Sequence, residues 1–323
     1  MSNSNNKNLK FYDEMYAKPF LWWVKKKFLR EWHQLLYKLR FEKRASEHQG
    51  LELILPLTNW MGKYLTVPNE FFMSKSIHAA LMMKPGAAID IGTHAGEFLV
   101  RYKAVSKLLG IKDSVYFGFE PNHASFSFMK ELIAANNWTS SCHVLPVALA
   151  DSTELRTFYA SRYADPCASI HREINKGTDS FNSIVPTFEA DEIINQLDID
   201  KLSIIKIDTE GAELDVLKGL AKTIEKHQPC IHCELANIPD SEDASYQYTI
   251  ENNMEVIRVM SDMNYQSYKI EEDGAFYHKP LKYKNYLPYL NGPLDDSAIP
   301  DGGNYIMVHK NDIAEMLSLM GKN

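Results

Sequence analysis

The 323-residue sequence predicts an α/β protein with a doubly wound, mostly parallel central sheet. Three observations lead to this fold class. Short apolar strands alternate with helical stretches, glycine-rich turns follow some of the strands, and acidic residues stand where strands end. Strands of this kind are buried on both faces of a parallel sheet, and crossover helices cover those faces. Ligands of such sheets bind beyond the carboxyl ends of the strands.

The expected elements can be placed in order along the chain. Residues 51–67 predict a short hairpin, and Asn69 predicts the start of a helix that ends at Pro85 and Gly86. The predicted strands that follow cover residues 87–91, 115–119, 143–147, 203–208, 230–235, 265–270 and 304–309. The predicted helices between them cover residues 96–109, 123–136, 189–197, 212–226 and 244–263.

The composition is that of a folded protein with a sizeable core, since 45% of the residues are hydrophobic. The net charge of −7 argues against general nucleic-acid binding, so we expect no nucleic-acid partner. Four cysteines are too few for a disulfide framework. Cys230 and Cys233 would point to opposite faces of one strand, which favours buried core thiols over a metal pair.

Positive charge is concentrated near the N-terminus. Residues 18–44 contain nine basic and two acidic side chains, and their apolar residues recur every three or four positions, which predicts an amphipathic helix. We therefore expect an N-terminal arm in residues 1–49 and a second domain in residues 50–323. Two interpretations of the helix stay open. It packs on its own domain or on a second subunit in a homo-oligomer, or it makes peripheral membrane contact.

The sequence predicts a cytoplasmic protein. Residues 2–6 are polar and do not resemble the apolar region of a signal peptide. The apolar run at residues 20–24 is too short to span a bilayer. Membrane contact through residues 18–44 would hold the protein at the inner face of the membrane, because basic side chains are attracted to anionic lipids.

The most informative turn follows the strand at residues 87–91. This strand contains Asp90, turns through Gly92 and Gly96 and runs into a helix, and the next strand ends in Glu120. Glycine lets the backbone approach a ligand, and a carboxylate at the end of the next strand can bind ribose hydroxyls. The D-x-G-x-x-x-G spacing favours S-adenosylmethionine over a dinucleotide, because S-adenosylmethionine has no pyrophosphate. A purely structural tight turn is the alternative.

A second motif carries a resemblance to a known family. Residues 202–219, LSIIKIDTEGAELDVLKG, resemble the strand-to-helix signature of the FkbM family of methyltransferases. Stretches at residues 90–96, 119–122 and 303–308 match that family in the same order, so the resemblance covers residues 86–310. It implies a Rossmann-like class I methyltransferase sheet, S-adenosylmethionine as cofactor, and acceptor hydroxyls on sugars or natural products. Thr93-His94 replaces the family's usual Ala-Asn.

The cofactor is expected to lie along the first strand ends. Glu120 would hold the ribose hydroxyls, the turn at residues 92–96 would accept the methionine end, and residues 148–151 would lie near adenine. Asp90 would order the turn, and Asp151 has an equal alternative as a turn or helix-cap residue. The complete set of expected cofactor-binding residues is Asp90, Gly92, Thr93, His94, Gly96, Glu120, Pro121, Ala148 and Asp151.

A second set of residues is expected around the acceptor hydroxyl. Lys206 and Asp208 should point to the same side of their strand, either as a structural ion pair or as catalytic groups. Glu210 follows in the turn, and one of the three would assist deprotonation. His171, on the long loop at residues 160–187, is a second candidate base. No third ligand accompanies Asp208 and Glu210 at convincing spacing, so we predict no metal site.

The sequence thus predicts an S-adenosylmethionine-dependent O-methyltransferase that modifies a hydroxyl of a sugar in a polysaccharide or glycoconjugate. A small natural product is the alternative acceptor. A non-catalytic nucleoside-binding scaffold, docked to a membrane or a partner, is the alternative to an enzyme. The loop at residues 160–187 and the tyrosine-rich segment at residues 272–303 would shape the acceptor pocket.

Overall fold

A computed structural model describes residues 43–48, 51–56, 61, 65, 71–162, 165–172, 181–271, 289–293 and 302–319. Thirteen strands in this part of the chain form three sheets. The strands are β1 (Lys43–His48), β2 (Leu51–Pro56), β3 (Ala87–Ile91), β4 (Tyr116–Phe119), β5 (Cys142–Leu145), β6 (Ala148–Ala150), β7 (Glu154–Phe158), β8 (Ser183–Glu189), β9 (Leu202–Ile207), β10 (Cys230–Leu235), β11 (Tyr265–Glu271), β12 (Tyr289–Pro293) and β13 (Gly303–His309). The helices are α1 (Phe71–Met83), α2 (Glu97–Leu108), α3 (His123–Ala135), α4 (Ala190–Ile194), α5 (Glu213–Gly219), α6 (Ala221–His227), α7 (Tyr246–Asp262) and α8 (Ile313–Leu319).

The central sheet has eight strands in the order β12-β11-β13-β10-β9-β3-β4-β5. The five strands from β10 to β5 are parallel to one another, whereas β13, β11 and β12 pair antiparallel. The chain runs outward from β3 to β4 and β5, and then returns to β9 on the other side of β3. This reversal creates a switch point between β3 and β9, where open α/β sheets bind ligands. The predicted mostly parallel, doubly wound sheet is confirmed.

Each face of the central sheet is covered by its own apolar layer. Ala88 belongs to the layer that contains α1, α2 and α3, and its neighbour Ile89 belongs to the layer that contains α4 to α7. This division follows from the alternation of side chains along a strand. Cys230 and Cys233 are free thiols and fall in opposite layers, so the interpretation of both as core residues is confirmed.

Residues 51–56 of the predicted hairpin form strand β2, but this strand pairs with one that precedes it in the chain, and most of residues 57–67 lie outside the described residues. Strand β2 pairs antiparallel with β1, from Lys43 opposite Pro56 to His48 opposite Leu51. The last two residues of the predicted basic helix, Lys43 and Arg44, therefore belong to a strand, and the rest of that helix lies outside the described residues. The expected domain boundary at residues 49 and 50 lies outside the described residues.

Two predicted helices are shorter or divided. The expected helix at residues 189–197 covers only Ala190–Ile194, and the one at residues 212–226 is interrupted at Leu220. Close packing accompanies this interruption, because a Cβ on Gly219 would meet the Ala150 oxygen at 2.0 Å. The described helices include none that is long and apolar enough to cross a membrane.

The sequence analysis did not predict the small sheet of β6, β8 and β7. Strand β8 contains Pro186, which lacks an amide donor and argues against a strand from sequence alone. Strand β12 was likewise expected to be part of a loop, because it contains glycine and proline. The small sheet packs on α5 through β6 and so brings new residues to the carboxyl edge of the central sheet.

Candidate active site

A cavity of about 390 Å³ lies at the switch point, beyond the carboxyl ends of β3, β4 and β9. Its walls come from the turns after those strands, from residues 147–149 at the start of β6, and from residues 165–170. Ten of the predicted site residues line it. They are Asp90, Gly92, Thr93, His94, Glu120, Pro121, Ala148, Lys206, Asp208 and Glu210.

The first turn, at residues 92–96, is tightly bent. Gly92, His94 and Gly96 have φ angles of 85°, 46° and 87°, all in the left-handed region that glycine adopts without strain. A Cβ on Gly92 would meet the backbone oxygen of Asp208 at 1.8 Å, so glycine is required where this turn approaches the one after β9. Gly96 leads directly into α2, and a Cβ there would meet the sulfur of Met129 at 2.5 Å.

Glu120, at the end of β4, is fixed by two backbone donors. The amides of Asn122 and His94 donate to its Oε1 and Oε2 atoms, each at 2.8 Å. The carboxylate is only 5% exposed, yet it borders the cavity. Burial raises the pKa of Glu120 above its ordinary value, although the two amide hydrogen bonds oppose that rise. The carboxylate is therefore oriented in advance, and its remaining lone pairs can accept hydrogen bonds from a ligand.

The carboxylate of Asp90 is a second buried acid beside the first turn. The Tyr116 hydroxyl donates to its Oδ2 at 2.7 Å, and its Oδ1 has no hydrogen-bond partner. Burial raises the pKa of Asp90 to about 7, although Lys206 and the Tyr116 hydrogen bond oppose the rise. The Oγ1 atom of Thr93 is also buried without a partner. Both side chains border the cavity, and buried polar atoms usually have partners, so a polar ligand would satisfy them.

His94 and Glu97 form an acidic–basic pair beside the first turn. Their Nδ1 and Oε1 atoms are 3.6 Å apart. Burial alone would lower the pKa of His94, but the carboxylates of Glu97 and Glu120 hold it above its ordinary value. The imidazole is therefore protonated more easily than an ordinary histidine side chain, on a cavity wall that contains several carboxylates.

The second turn, at residues 208–211, begins with an ion pair. Lys206 Nζ lies 2.6 Å from Asp208 Oδ2, and both residues border the cavity as strand alternation predicted. Burial would lower the pKa of Lys206, but Asp208, Asp90 and Glu234 hold it above its ordinary value. The lysine is therefore a permanent cation that fixes one oxygen of Asp208.

Glu213 shapes the rest of the second turn. Its Oε1 accepts hydrogen bonds from the Thr209 amide at 3.1 Å, the Thr209 hydroxyl at 3.0 Å and the Gly211 amide at 3.0 Å. These bonds hold Glu210 at a φ of 53° and Gly211 at a φ of 100°. Burial and the neighbouring Asp208 and Glu213 raise the pKa of Glu210 to about 8. At neutral pH this side chain is mostly a neutral acid that can donate a hydrogen bond.

The residues of both turns fall within one family match. The sequence model of the methyltransferase FkbM domain matches residues 90–267, which is more than half of the chain. The chain belongs to the FkbM methyltransferase family. No curated protein matches the sequence.

Several solved structures are similar to this FkbM chain. An FkbM methyltransferase from Methylobacillus flagellatus KT is 15% identical, with a TM-score of 0.40, and the match covers 69% of this chain and 43% of that protein, less than half its length. An O-methyltransferase from Bacillus cereus in complex with SAH is 9% identical, with a TM-score of 0.42 and coverage of 87% and 98%. A human methyltransferase 10 domain containing protein is 12% identical, with a TM-score of 0.39 and coverage of 89% and 99%.

Three predicted site residues of this FkbM protein lie outside the cavity lining. Asp151 follows β6 into the turn toward β7, where its Oδ1 is 3.1 Å from Arg156 Nη2 at the surface. His171 has its Nε2 atom 3.0 Å from Asp215 Oδ2. Gly96 bends the first turn without bordering the cavity. The directions of the Asp151 and His171 side chains depend on contacts that residue type and order do not reveal.

Other residues of this FkbM site were not predicted. Tyr116 could have been suspected, because alternation places it on the same face as Gly118 and near Asp90. Glu213 was identified only as part of the family motif. The cavity is also lined by Glu97, Phe158 and Glu234, which were not among the expected site residues, and by Asp165, Pro166, Ala168 and Ile170, which belong to the loop expected to shape the acceptor pocket. Within the described part of the chain, no three His, Cys, Asp or Glu side chains are grouped to hold a metal ion.

Proposed function

We propose that this chain is an S-adenosylmethionine-dependent O-methyltransferase whose acceptor is a sugar hydroxyl in a polysaccharide or glycoconjugate. One observation carries the proposal. The oriented carboxylate of Glu120 and the acidic second turn at Asp208 and Glu210 border the same cavity. A group that can bind the nucleoside, Glu120, and acidic groups that can act on an acceptor hydroxyl, Asp208 and Glu210, thus border one cavity. Methyl transfer from a bound cofactor to an acceptor requires such an arrangement.

The cavity fits this cofactor in charge and in hydrogen bonding. Glu120 has lone pairs free for ribose hydroxyls, because each of its oxygens accepts only one backbone hydrogen bond. The partnerless atoms of Thr93 and Asp90 suit the polar methionine end. The many carboxylates of the cavity suit a ligand that carries a sulfonium and an ammonium group. When bound, S-adenosylmethionine would supply an electrophilic methyl group.

The second turn supports the acceptor half of the reaction. The acceptor hydroxyl would lose its proton to a carboxylate of this turn as its oxygen gains the methyl group. Lys206 stays charged and cannot take that proton. Asp208 is the better proton acceptor, because the raised pKa of Glu210 leaves Glu210 as a hydrogen-bond donor that can orient the acceptor. Alignment and exclusion of water could supply up to roughly 7–11 kcal/mol of the rate enhancement.

The cavity wall also bears on the acceptor. Phe158, Pro166 and Ile170 form an apolar surface beside the acidic second turn. An aromatic ring beside polar groups suits the apolar C–H face of a sugar, and it would equally suit a small natural product. The tyrosine-rich segment expected to shape this pocket lies outside the described residues, except for residues 289–293, 302 and 303. The sugar acceptor thus rests on the family resemblance and on this mixed surface.

Calorimetry with S-adenosylhomocysteine tests the cofactor site. Glu120→Ala should weaken the affinity for S-adenosylhomocysteine at least ~10-fold, because the ribose hydroxyls would lose two hydrogen bonds to a charged acceptor. Asp151→Ala is the matched control, because that carboxylate lies outside the cavity lining and should leave the affinity unchanged. Equal affinities in the wild type and Glu120→Ala would remove the ribose assignment. A wild type that binds NAD but not S-adenosylhomocysteine would point to an oxidoreductase.

Transfer of a radiolabelled methyl group into glycans from the source cell tests the reaction. Asp208→Asn should reduce turnover ~10²–10⁴-fold and leave S-adenosylhomocysteine affinity within ~3-fold, because loss of a general base affects the chemical step. Wild-type turnover in this variant would exclude Asp208 as the base. If the wild type labels natural-product extracts but no glycan, the sugar acceptor is wrong. No labelled product from either source would favour the non-catalytic scaffold.

A further inference from the structure

One wall of the cavity is formed by residues 165–170, here called the wall segment. Asp165, Pro166, Ala168 and Ile170 of this segment border the cavity. Ala168 and Ile170 pack with Phe158 in a small apolar cluster separate from the two main layers. The segment is therefore attached to the small sheet rather than to the central sheet, and its position relative to the second turn needs another source of support.

The start of the wall segment is held by local hydrogen bonds. Asp165 Oδ2 accepts from the Ser161 amide at 2.8 Å and from the Ser161 hydroxyl at 2.7 Å. Ser169 and Tyr159 exchange two backbone hydrogen bonds of 2.8 and 3.1 Å. These bonds join the segment to the end of β7. None of them joins it to the second turn.

The end of the wall segment is held by His171 and Asp215. The His171 amide donates to the Ser169 hydroxyl oxygen at 3.0 Å, and His171 Nε2 lies 3.0 Å from Asp215 Oδ2 on α5. Arg156 Nη1 donates to the same Asp215 oxygen at 2.8 Å. Partial burial opposes ionisation, but His171 and Arg156 hold the pKa of Asp215 below its ordinary value. Asp215 is thus a charged acceptor, which makes its hydrogen bonds stronger than neutral ones.

The same cluster reaches the second turn. The His171 ring packs on Tyr248 of α7, with ring centroids 5.6 Å apart. The Tyr248 hydroxyl donates to the Gly211 carbonyl oxygen at 3.3 Å, next to Glu210. One chain of contacts therefore runs from the wall segment through His171 and Tyr248 to the turn that holds the proposed acceptor groups.

We propose that His171 and Asp215 are positioning residues, which hold the wall segment against the second turn and keep the cavity closed around its ligand. His171 thus acts through its contact with Asp215, and not as the base that the sequence suggested. The side chains of His171 and Asp215 are 22% and 19% exposed, so the pair is partly open to solvent and not in a core, and His171 directly follows Ile170 of the cavity wall. Its loss should loosen the wall segment without unfolding the protein. The ligand part of this inference rests on the proposed function.

The test compares His171→Leu with His171→Gln. Leucine removes the donor to Asp215, whereas the glutamine amide can still donate. The dissociation rate of S-adenosylhomocysteine, measured by stopped flow on the full chain, should rise ~5–20-fold in His171→Leu, since a partly exposed hydrogen bond to a charged group is lost. The association rate should stay within ~2-fold. His171→Gln should return the dissociation rate to within ~3-fold of the wild type.

Amide hydrogen exchange provides a readout that does not depend on the ligand. The Ser169 and His171 amides should exchange ~10-fold faster in His171→Leu, because their hydrogen bonds, to the Tyr159 carbonyl and the Ser169 hydroxyl oxygen, involve the loosened segment. Glu154→Gln is the matched control. It removes an exposed partner of Arg156 and leaves the Asp215 contacts in place, so neither readout should change.

Each outcome separates the inference from the proposed function. If the Ser169 and His171 amides exchange at the same rate in His171→Leu as in Glu154→Gln, the positioning role is wrong. Faster exchange with unchanged dissociation would overturn the closure of the cavity by this pair. A wild type that binds no S-adenosylhomocysteine would overturn the proposed cofactor, and the exchange data would still decide whether His171 holds the wall segment.

Discussion

The first and second turns use the same structural device on neighbouring strands. Each bends through left-handed residues, with φ angles of 46° at His94 and 53° at Glu210. Each is held by a glutamate that accepts a hydrogen bond from at least one backbone amide of the turn. Glu120 holds the first turn from the end of β4, and Glu213 holds the second from the start of α5.

The two glutamates differ in what their second oxygen does. Glu120 uses both oxygens for backbone amides and borders the cavity. Glu213 uses one oxygen for three donors, is 0% exposed, and does not border the cavity. The same carboxylate chemistry therefore supports a turn in both places, but only at Glu120 can it also bind a ligand. Position relative to the cavity, and not residue type, separates a structural acid from a binding acid.

Gly92→Ala should have the largest effect, because it forces the two turns apart. The new Cβ would meet the Asp208 oxygen at 1.8 Å, and the φ of 85° is strained for alanine. We expect the free energy of unfolding to fall by ~3–5 kcal/mol, measured by urea denaturation.

Gly110→Ala is the matched control for that substitution. Gly110 has a φ of 72°, but no atom lies within 4 Å of the position of its Cβ. It should cost only ~1–2 kcal/mol, from the left-handed backbone alone. Equal losses in the two variants would mean that the close approach of the turns does not matter for stability.

A pair of glutamine substitutions sharpens the comparison of the two glutamates. Glu120→Gln should lower the free energy of unfolding by ~1–3 kcal/mol, because one backbone amide would face the glutamine NH₂ group instead of an acceptor. Glu213→Gln should cost less than ~1 kcal/mol, since one amide oxygen can keep all three donors. Thermal or urea denaturation of both variants checks this. Similar losses would show that Glu213 needs both oxygens or that Glu120 needs only one.

Local sequence signals were sufficient to predict much of the fold. The strands that carry the site are short apolar runs with acids or glycines at their ends, and β3 covers the predicted residues 87–91. The turn after β3 was predicted because Gly92 lets the backbone approach a ligand, and the turn after β9 because Gly211 belongs to the family signature; both glycines have left-handed backbone in the structure. Asp90, Glu120 and Asp208 were placed in one site because the carboxyl ends of parallel strands meet at one edge of a sheet.

Contacts between distant parts of the chain account for what the sequence did not predict. The small sheet brings Phe158 and the wall segment to the cavity through strand pairing that Pro186 in β8 obscured. His171 was expected to be a base because histidine often is one. Its direction depends on Asp215, 44 residues away, and no local pattern links the two. Glu210 shows what the sequence does and does not reveal. Its place in the second turn was predicted, but its raised pKa depends on burial in the folded protein.

Glu210→Gln should have a small stabilising effect, and its size should depend on pH. The pKa of Glu210 is about 8 in the folded protein against an ordinary value of 4.5. The folded state therefore binds this proton more tightly than the unfolded state does. The stability that the Glu210 proton contributes is fully present below about pH 4.5 and is lost as the pH rises toward and through about 8. Glutamine has no proton to lose. The variant should equal the wild type near pH 4 and exceed it by ~1–2 kcal/mol above pH 8, allowing for solvent screening at a partly exposed site.

Urea denaturation of the wild type and Glu210→Gln between pH 4 and pH 9 measures this difference directly. Glu225→Gln, at an exposed position on α6, serves as the control and should change stability equally at every pH. A constant difference between Glu210→Gln and the wild type would mean that Glu210 ionises in the folded state as easily as in the unfolded state. Asp208 would then share the second turn with a charged carboxylate, and Glu210 could not serve as the hydrogen-bond donor to an acceptor at neutral pH.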